Sequence, residues 1–202
     1  MRDASLRADR VANLVGLGAL ALILGALGFQ YIGGIAPCEM CHWQRWGHIA
    51  AALTGLFLIP LEKNMRLAVT ALAVICGLIA GYHWGMLTGW QPQLLAAAII
   101  ALLAATLWNN NTWMLALTAL ALVLISGLIG LYQSGMQWGI LPGPSSCSGQ
   151  RFVLGSNMTP VVQCDVVTWQ LFGLSLAAYN AICSFLIVGL GGLALLKAKN
   201  AP

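Results

Sequence analysis

At 202 residues, 60% hydrophobic and 7% charged, with a mean hydropathy of +0.86, the chain lacks the polar surface to close around one ordinary water-facing core. Lipid must be its main solvent. The net charge of +4 is therefore no sign of a nucleic-acid partner, and it carries meaning only through the loops that hold it.

Residues 1–10 carry Arg2, Arg7 and Arg10 and precede an apolar run over 11–35. A signal peptide has an apolar core of ~7 to 15 residues and a small-residue cleavage site, so this longer run predicts a first membrane helix with a cytoplasmic N-terminus. Next comes Pro37-Cys38-Glu39-Met40-Cys41-His42-Trp43-Gln44-Arg45, in a loop over 36–45. The uncharged run over 46–61 is short for a span, so its helix is expected to start before Arg45 and to put that residue just inside the outer interface. Glu62-Lys63-Asn64-Met65-Arg66 makes a tight turn into a third span over 67–84, which breaks around Gly85, Gly89, Trp90 and Pro92. A fourth span covers 93–108 and a fifth 113–134, with Trp108 and Trp113 bracketing a polar turn as interface anchors do. The one long loop, 135–168, holds Cys147, Arg151, Cys164 and Asp165. A sixth span over 169–196 leads to Lys197 and Lys199.

With six spans, the inner side holds Arg2, Arg7, Arg10, Lys63, Arg66, Lys197 and Lys199 against Arg45 and Arg151 outside, and seven against two obeys the positive-inside rule. Both cysteine pairs then share the outer, disulfide-permissive side. At an offset of 50, Gly77-Leu78-Ile79, Tyr82, Gly85-Met86, Gly89 and Pro92 recur as Gly127-Leu128-Ile129, Tyr132, Gly135-Met136, Gly139 and Pro142. A tyrosine, glycines and a proline in register point to a duplicated helical hairpin, although glycines at membrane helix contacts can also converge. The expected fold is all-α: one polytopic bundle over 1–202, a four-helix core plus the added hairpin, both termini cytoplasmic.

Cys38 and Cys41 can close a small disulfide ring, and a helix starting beside them lowers a thiol pKa at its N-terminus. Arg45, four residues after Cys41, then shares a helix face with that sulfur. An arginine at membrane depth is costly and a functional suspect. Cys38, Cys41 and His42 also spell a c-type haem attachment string, but a haem needs a pocket that this short connection does not supply. Zinc would favour two close cysteine pairs, whereas Cys147 and Cys164 are widely spaced, so no metal site is expected. A plain structural disulfide is the bland alternative, yet so short a ring restrains little.

Taken together, Cys38-x-x-Cys41-x-x-Gln44-Arg45, the loop Gly143-Pro144-Ser145-Ser146-Cys147, and Cys164-Asp165 through Trp169, Gly173, Ser175, Ala177, Tyr179 and Asn180 resemble the DsbB family of quinone-linked disulfide-generating membrane proteins. The vitamin K epoxide reductase family places its loop cysteines before the two-cysteine motif; here they follow it. The chain departs from the family pattern in having six spans rather than four, and Tyr132-Gln133 where many members have Tyr-His. His83 holds the equivalent place in the other repeat copy, so either copy can face the quinone.

The resemblance implies a thiol:quinone oxidoreductase of the bacterial inner membrane with redox loops 36–45 and 135–168 in the periplasm. A DsbA-like thioredoxin-fold partner would attack Cys147 of a Cys147–Cys164 disulfide, because that pair lies in the only loop long enough to reach a soluble protein. Cys164 would then attack Cys38 of a Cys38–Cys41 disulfide, leaving Cys41 as a thiolate that passes charge into ubiquinone or menaquinone. Arg45, Gln44 and His48 are the candidate quinone-binding residues. Four outer cysteines allow three pairings, of which this cycle implies Cys38 with Cys41 and Cys147 with Cys164 at rest.

Cys76 and Cys183 lie in apolar runs as small hydrophobes. His42 reads as interfacial, Glu39 as a helix-start residue, Arg151 as a loop charge, and Asp165 as a cap on the last helix or a modulator of Cys164. A channel or transporter is disfavoured, since the spans carry few polar groups for a pathway.

Overall fold

The structure is a computed structural model that describes residues 2–58, 112–144, 147 and 162–200. The first helix, α1, runs Arg2–Tyr31. It ends because Gly34 takes a left-handed φ of 65°, which lets the Ile35 N–H return to the Phe29 carbonyl at 3.1 Å. Pro37 and an extended Cys38 then restart the chain as α2, Glu39–Ala52, which continues as a π-helical turn over Leu53–Leu58. Helix α3 covers Thr112–Gln137, and α4 covers Leu176–Asn200.

Helix α1 packs against the other three, α2 packs on α3, and α3 on α4. The C-terminal halves of α1 and α3 meet the N-terminal halves of α2 and α4, through pairs such as Arg45 with Gln30 and Gln44 with Gln133. The four helices therefore alternate in direction, and Ala8 and Leu195 in one cluster bring both ends of the chain to the same end of the bundle.

Residue sizes are reversed relative to a water-soluble bundle. The centre is built largely of alanines, among them Ala12, Ala19, Ala51, Ala116 and Ala119, while Leu17, Leu24, Leu128, Leu186 and Leu190 are exposed. Small residues let helix backbones approach, and large apolar ones face a solvent as apolar as themselves. Among the described residues, three helices are long and apolar enough to cross a membrane: Arg7–Tyr31, Thr112–Gln137 and Leu176–Asn200. These match the expected first, fifth and sixth spans. The expected third and fourth spans, the first repeat copy with His83, and Cys76 and Arg151 lie outside the described residues.

The last span departs from expectation at its start. It begins at Leu176 rather than at residue 169, because Phe172 and Gly173 both take positive φ, 50° and 77°, and fold the preceding segment into a two-residue hairpin. Its strands, β1 (Gln170–Leu171) and β2 (Leu174–Ser175), pair antiparallel, a small exception to an all-helical fold. Ser175 then caps α4, its Oγ accepting from the Ala178 N–H at 3.3 Å. Asp165 does not cap this helix, and one of its carboxylate oxygens is buried without a partner among the described residues.

Candidate active site

Pro37 and the extended backbone at Cys38 put the first sulfur at the N-cap of α2, where it accepts the Cys41 N–H at 3.3 Å. Cys41 follows in the first helical turn, among N–H groups that have no helical acceptor. The two thiols share charge unequally. Cys41 is lowered to about 6, chiefly by the hydrogen bond from Cys38; burial opposes this, while the Gln133 amide and the Arg45 charge add to it. Cys38 is raised by the same hydrogen bond, by burial and by the charge on Cys41. One proton thus stays on Cys38, and Cys41 is the thiolate at neutral pH.

Cys147 and Cys164 form a disulfide with Cα atoms 5.4 Å apart. The backbone holds this second pair tightly: the Cys164 N–H donates to the Cys147 carbonyl at 2.8 Å, and the Cys164 carbonyl accepts from the side-chain amides of Gln133 and Gln137, each at 3.4 Å. Cys38, Cys147 and Cys164 are buried together with Met40 and Met136, and Cys41 packs against them. The four sulfur residues, up to 126 positions apart as Cys38 and Cys164, come to one end of the bundle.

Cys38 and Cys41 are free thiols here, and Cys147 and Cys164 are bonded to each other. Cys147 is only 3% exposed. It packs with Cys38, Cys164, Met40 and Met136, where apolar burial of the disulfide is favourable.

Beside Cys38 and Cys41 lies a cavity of about 220 Å³, walled by the C-terminal half of α1, the starts of α2 and α4, and Gln133 and Gln137 of α3. Cys38, Cys41, Gln44, Arg45 and His48 all line it, so the three residues singled out beside the thiols meet there. The Arg45 guanidinium is held by the Gln30 side chain and the Ala26 carbonyl, the latter at 3.3 Å, which fixes the cation against α1. Trp169 packs on Phe29 at 4.9 Å and on Tyr179 at 6.3 Å and closes the rim, while the Tyr179 hydroxyl donates to the Leu171 carbonyl and ties the hairpin down. Cys183 also lines the cavity as a free, half-buried thiol. His42 is largely exposed, and partial desolvation of its ring, followed by the Arg45 charge, lowers its pKa.

Gln133 and Asn180 were not singled out from the sequence as site residues, and both are central. The Gln133 amide nitrogen lies 3.2 Å from the Cys38 sulfur and 3.7 Å from that of Cys41. Gln133, in the second repeat copy, therefore faces the thiols, while His83 of the first copy lies outside the described residues. Asn180 donates to the Gln44 side chain at 2.9 Å and pairs with His48 at 2.8 Å.

A sequence model described as disulfide bond formation protein DsbB matches residues 8–95 and 92–194. The chain belongs to the DsbB family. Proteins named disulfide bond formation protein B align along most of its length: that of Methylococcus capsulatus is 27% identical over 98% of both chains, and that of Aromatoleum aromaticum is 28% identical over 85% of this chain and 84% of its own. A protein of Pseudomonas fluorescens named disulfide bond formation protein B 1 is 39% identical over 38% of this chain and 48% of its own. No solved structure matches. DsbB membership, with three helices able to cross a bilayer, makes the chain a membrane oxidoreductase of disulfide bond formation. That chemistry takes the place of the haem and transport readings of the same residues.

Proposed function

We propose that this chain oxidises the dithiol of a DsbA-like, thioredoxin-fold protein in the periplasm and passes the two electrons to a quinone in the bacterial inner membrane. The observation that carries this reading is the position of Cys41, packed against the cluster of Cys38, Cys147 and Cys164 and lining the cavity together with Cys38. The cavity fits such a group: at about 220 Å³ it lies below the ~300 to 1,000 Å³ of common ligand sites, enough for a ring whose tail stays in lipid. Its exposed wall is mainly apolar, with Gln30, Gln44, Arg45, His48, Gln133 and Asn180 among its polar side chains. A bound quinone supplies a two-electron acceptor whose two oxygens take up two protons.

The protein steps need only thiolate attack on disulfide sulfur. A partner thiolate attacks Cys147, breaks the Cys147–Cys164 bond and forms a mixed disulfide, with the electron pair left on Cys164. Cys164 attacks Cys38 of an oxidised inner pair and expels Cys41 as the thiolate, which Gln133 and Arg45 stabilise. The partner's second thiol resolves the mixed disulfide, leaving the partner oxidised and Cys147 free. Cys147 then attacks Cys164, restores the outer bond and releases Cys38. This leaves the outer pair bonded and the inner pair reduced, the state of the structure. Oxidation of Cys38 and Cys41 forms their disulfide, releases two electrons and two protons to the acceptor, and closes the cycle. Arg45 favours negative charge at this point, as a preorganised cation does.

Six spans, with loops 36–45 and 135–168 outside and both termini inside, are the topology this reading requires. Trapping tests the order of attack. With Cys164→Ala, the partner is expected on Cys147, mapped by mass spectrometry after non-reducing digestion. A partner recovered on Cys38 overturns the scheme.

A further inference from the structure

His48 is 3% exposed, lines the cavity, and leaves its Nδ1 buried without a hydrogen-bond partner among the described residues. Its other nitrogen, Nε2, lies 2.8 Å from the Asn180 side-chain oxygen and 3.5 Å from the Ser184 hydroxyl. Which nitrogen holds the proton follows from two backbone carbonyls, groups that only accept. The Asn180 Nδ2 faces the Ser126 carbonyl at 3.3 Å, so the Asn180 oxygen must be the end turned to His48. At the far end of the chain of amides, the Gln133 Nε2 faces the Cys164 carbonyl at 3.4 Å, so the Gln133 oxygen must face Gln44.

Every bond between these anchors then runs one way. His48 Nε2 donates to Asn180, Asn180 Nδ2 to Gln44 at 2.9 Å, Gln44 Nε2 to Gln133 at 2.6 Å, and Gln133 Nε2 to the sulfurs of Cys38 and Cys41. Aligned donors in a dry interior reinforce one another, and reversing one would set two oxygens or two N–H groups face to face. The neutral imidazole is thereby held with its proton on Nε2 and a bare lone pair on Nδ1. A buried acceptor left unmatched is costly, and the imidazole that carries it lines the cavity.

We propose that His48 Nδ1 selects the reduced form of the electron carrier, accepting a hydrogen bond from a hydroquinone hydroxyl that the oxidised, carbonyl-bearing form cannot offer. This rests on the quinone reading above and adds to it the redox form that the site favours. A site that binds product more tightly than substrate pulls thiol oxidation forward, at some expense in release. His48 is then a binding residue, and Asn180 a positioning residue that keeps its tautomer.

The test is binding of decylubiquinone and of its hydroquinone, measured anaerobically on the full chain in nanodiscs, with Cys41→Ser in every arm to stop turnover. His48→Gln keeps a side-chain N–H for Asn180 but loses the Nδ1 acceptor. It is expected to weaken hydroquinone binding roughly five- to tenfold, the worth of one buried hydrogen bond, and to change quinone binding less than about twofold. His48→Asn, which restores a polar atom near the Nδ1 position, is expected to recover part of the difference. Asn180→Ala frees the tautomer and is expected to lower the same ratio of affinities by a smaller factor, which keeps the test open if His48→Gln does not fold. A ratio unchanged in His48→Gln, or equal weakening of both forms, overturns the proposal while leaving the quinone reading intact. Failure of both forms to bind the Cys41→Ser parent overturns the quinone reading and this inference with it.

Discussion

Cys41 ionises at the expense of Cys38, and the causes come in a definite order: the Cys38 thiol, then the Gln133 amide, then the Arg45 charge. In the reduced protein, Cys41 alkylation by iodoacetamide is expected to be slow below pH 6, where both thiols keep their protons, and to rise as pH passes about 6. Removing the neighbours should move this midpoint toward the ~8.5 of an ordinary thiol, most for Cys38→Ala, less for Gln133→Leu and least for Arg45→Ala. A midpoint that stays put in Cys38→Ala would refute the shared-proton account. The thiol pair and Arg45 were legible in the sequence because their chemistry depends on spacing along one helix. Gln133 was noticed only as a departure from Tyr-His, and Asn180 only as part of a resemblance. Gln44 and Gln133 are 89 positions apart, and no local pattern announces a hydrogen bond between them.

The network depends on how closely α3 approaches α4. A Cβ on Gly130 would lie 2.9 Å from the Ala177 carbonyl oxygen and 3.0 Å from the Asn180 Nδ2, so the side chain that orients His48 sits where only hydrogen fits. Gly130→Leu is expected to cost about 1 to 3 kcal/mol through overpacking and to lower the thermal unfolding midpoint. It should also slow thiol oxidation; full activity in this variant would mean that α3 and α4 can part without disturbing the site. Ser175→Ala, which removes the cap of α4, should cost about 1 kcal/mol in the same unfolding assay. The long apolar runs were readable as α1, α3 and α4 because length and hydropathy decide them. The hairpin before α4 was not, since Trp169, Leu171, Phe172 and Leu174 continue the apolar run, and only the positive φ at Phe172 and Gly173 separates them from it.

At the scale of the molecule, alternating helices bring both ends of the chain to one end of the bundle and the sulfur cluster to the other. Sidedness follows: a thiol probe that cannot cross the bilayer should reach single cysteines placed near Arg7 and Lys199 from one side, and Cys38 or Cys147 in the unfolded, reduced protein from the other. Labelling of Cys38 and Cys147 from opposite sides would break the scheme. Because Cys147 is folded inward, its docking partner must first uncover it. Its reaction with a small disulfide reagent after gentle reduction is expected to be slow alone and faster with a redox-inactive partner bound. Such acceleration is a property of the assembled bundle that no cysteine spacing could forecast.

Trp169, stacked between Phe29 and Tyr179 on the rim of the cavity, has one more consequence. An indole at that place is a lamp beside a door: a ring with low-lying empty orbitals arriving next to it drains the excited state and darkens the emission. The difference in fluorescence between the native protein and Trp169→Phe should therefore report occupancy with no dye attached.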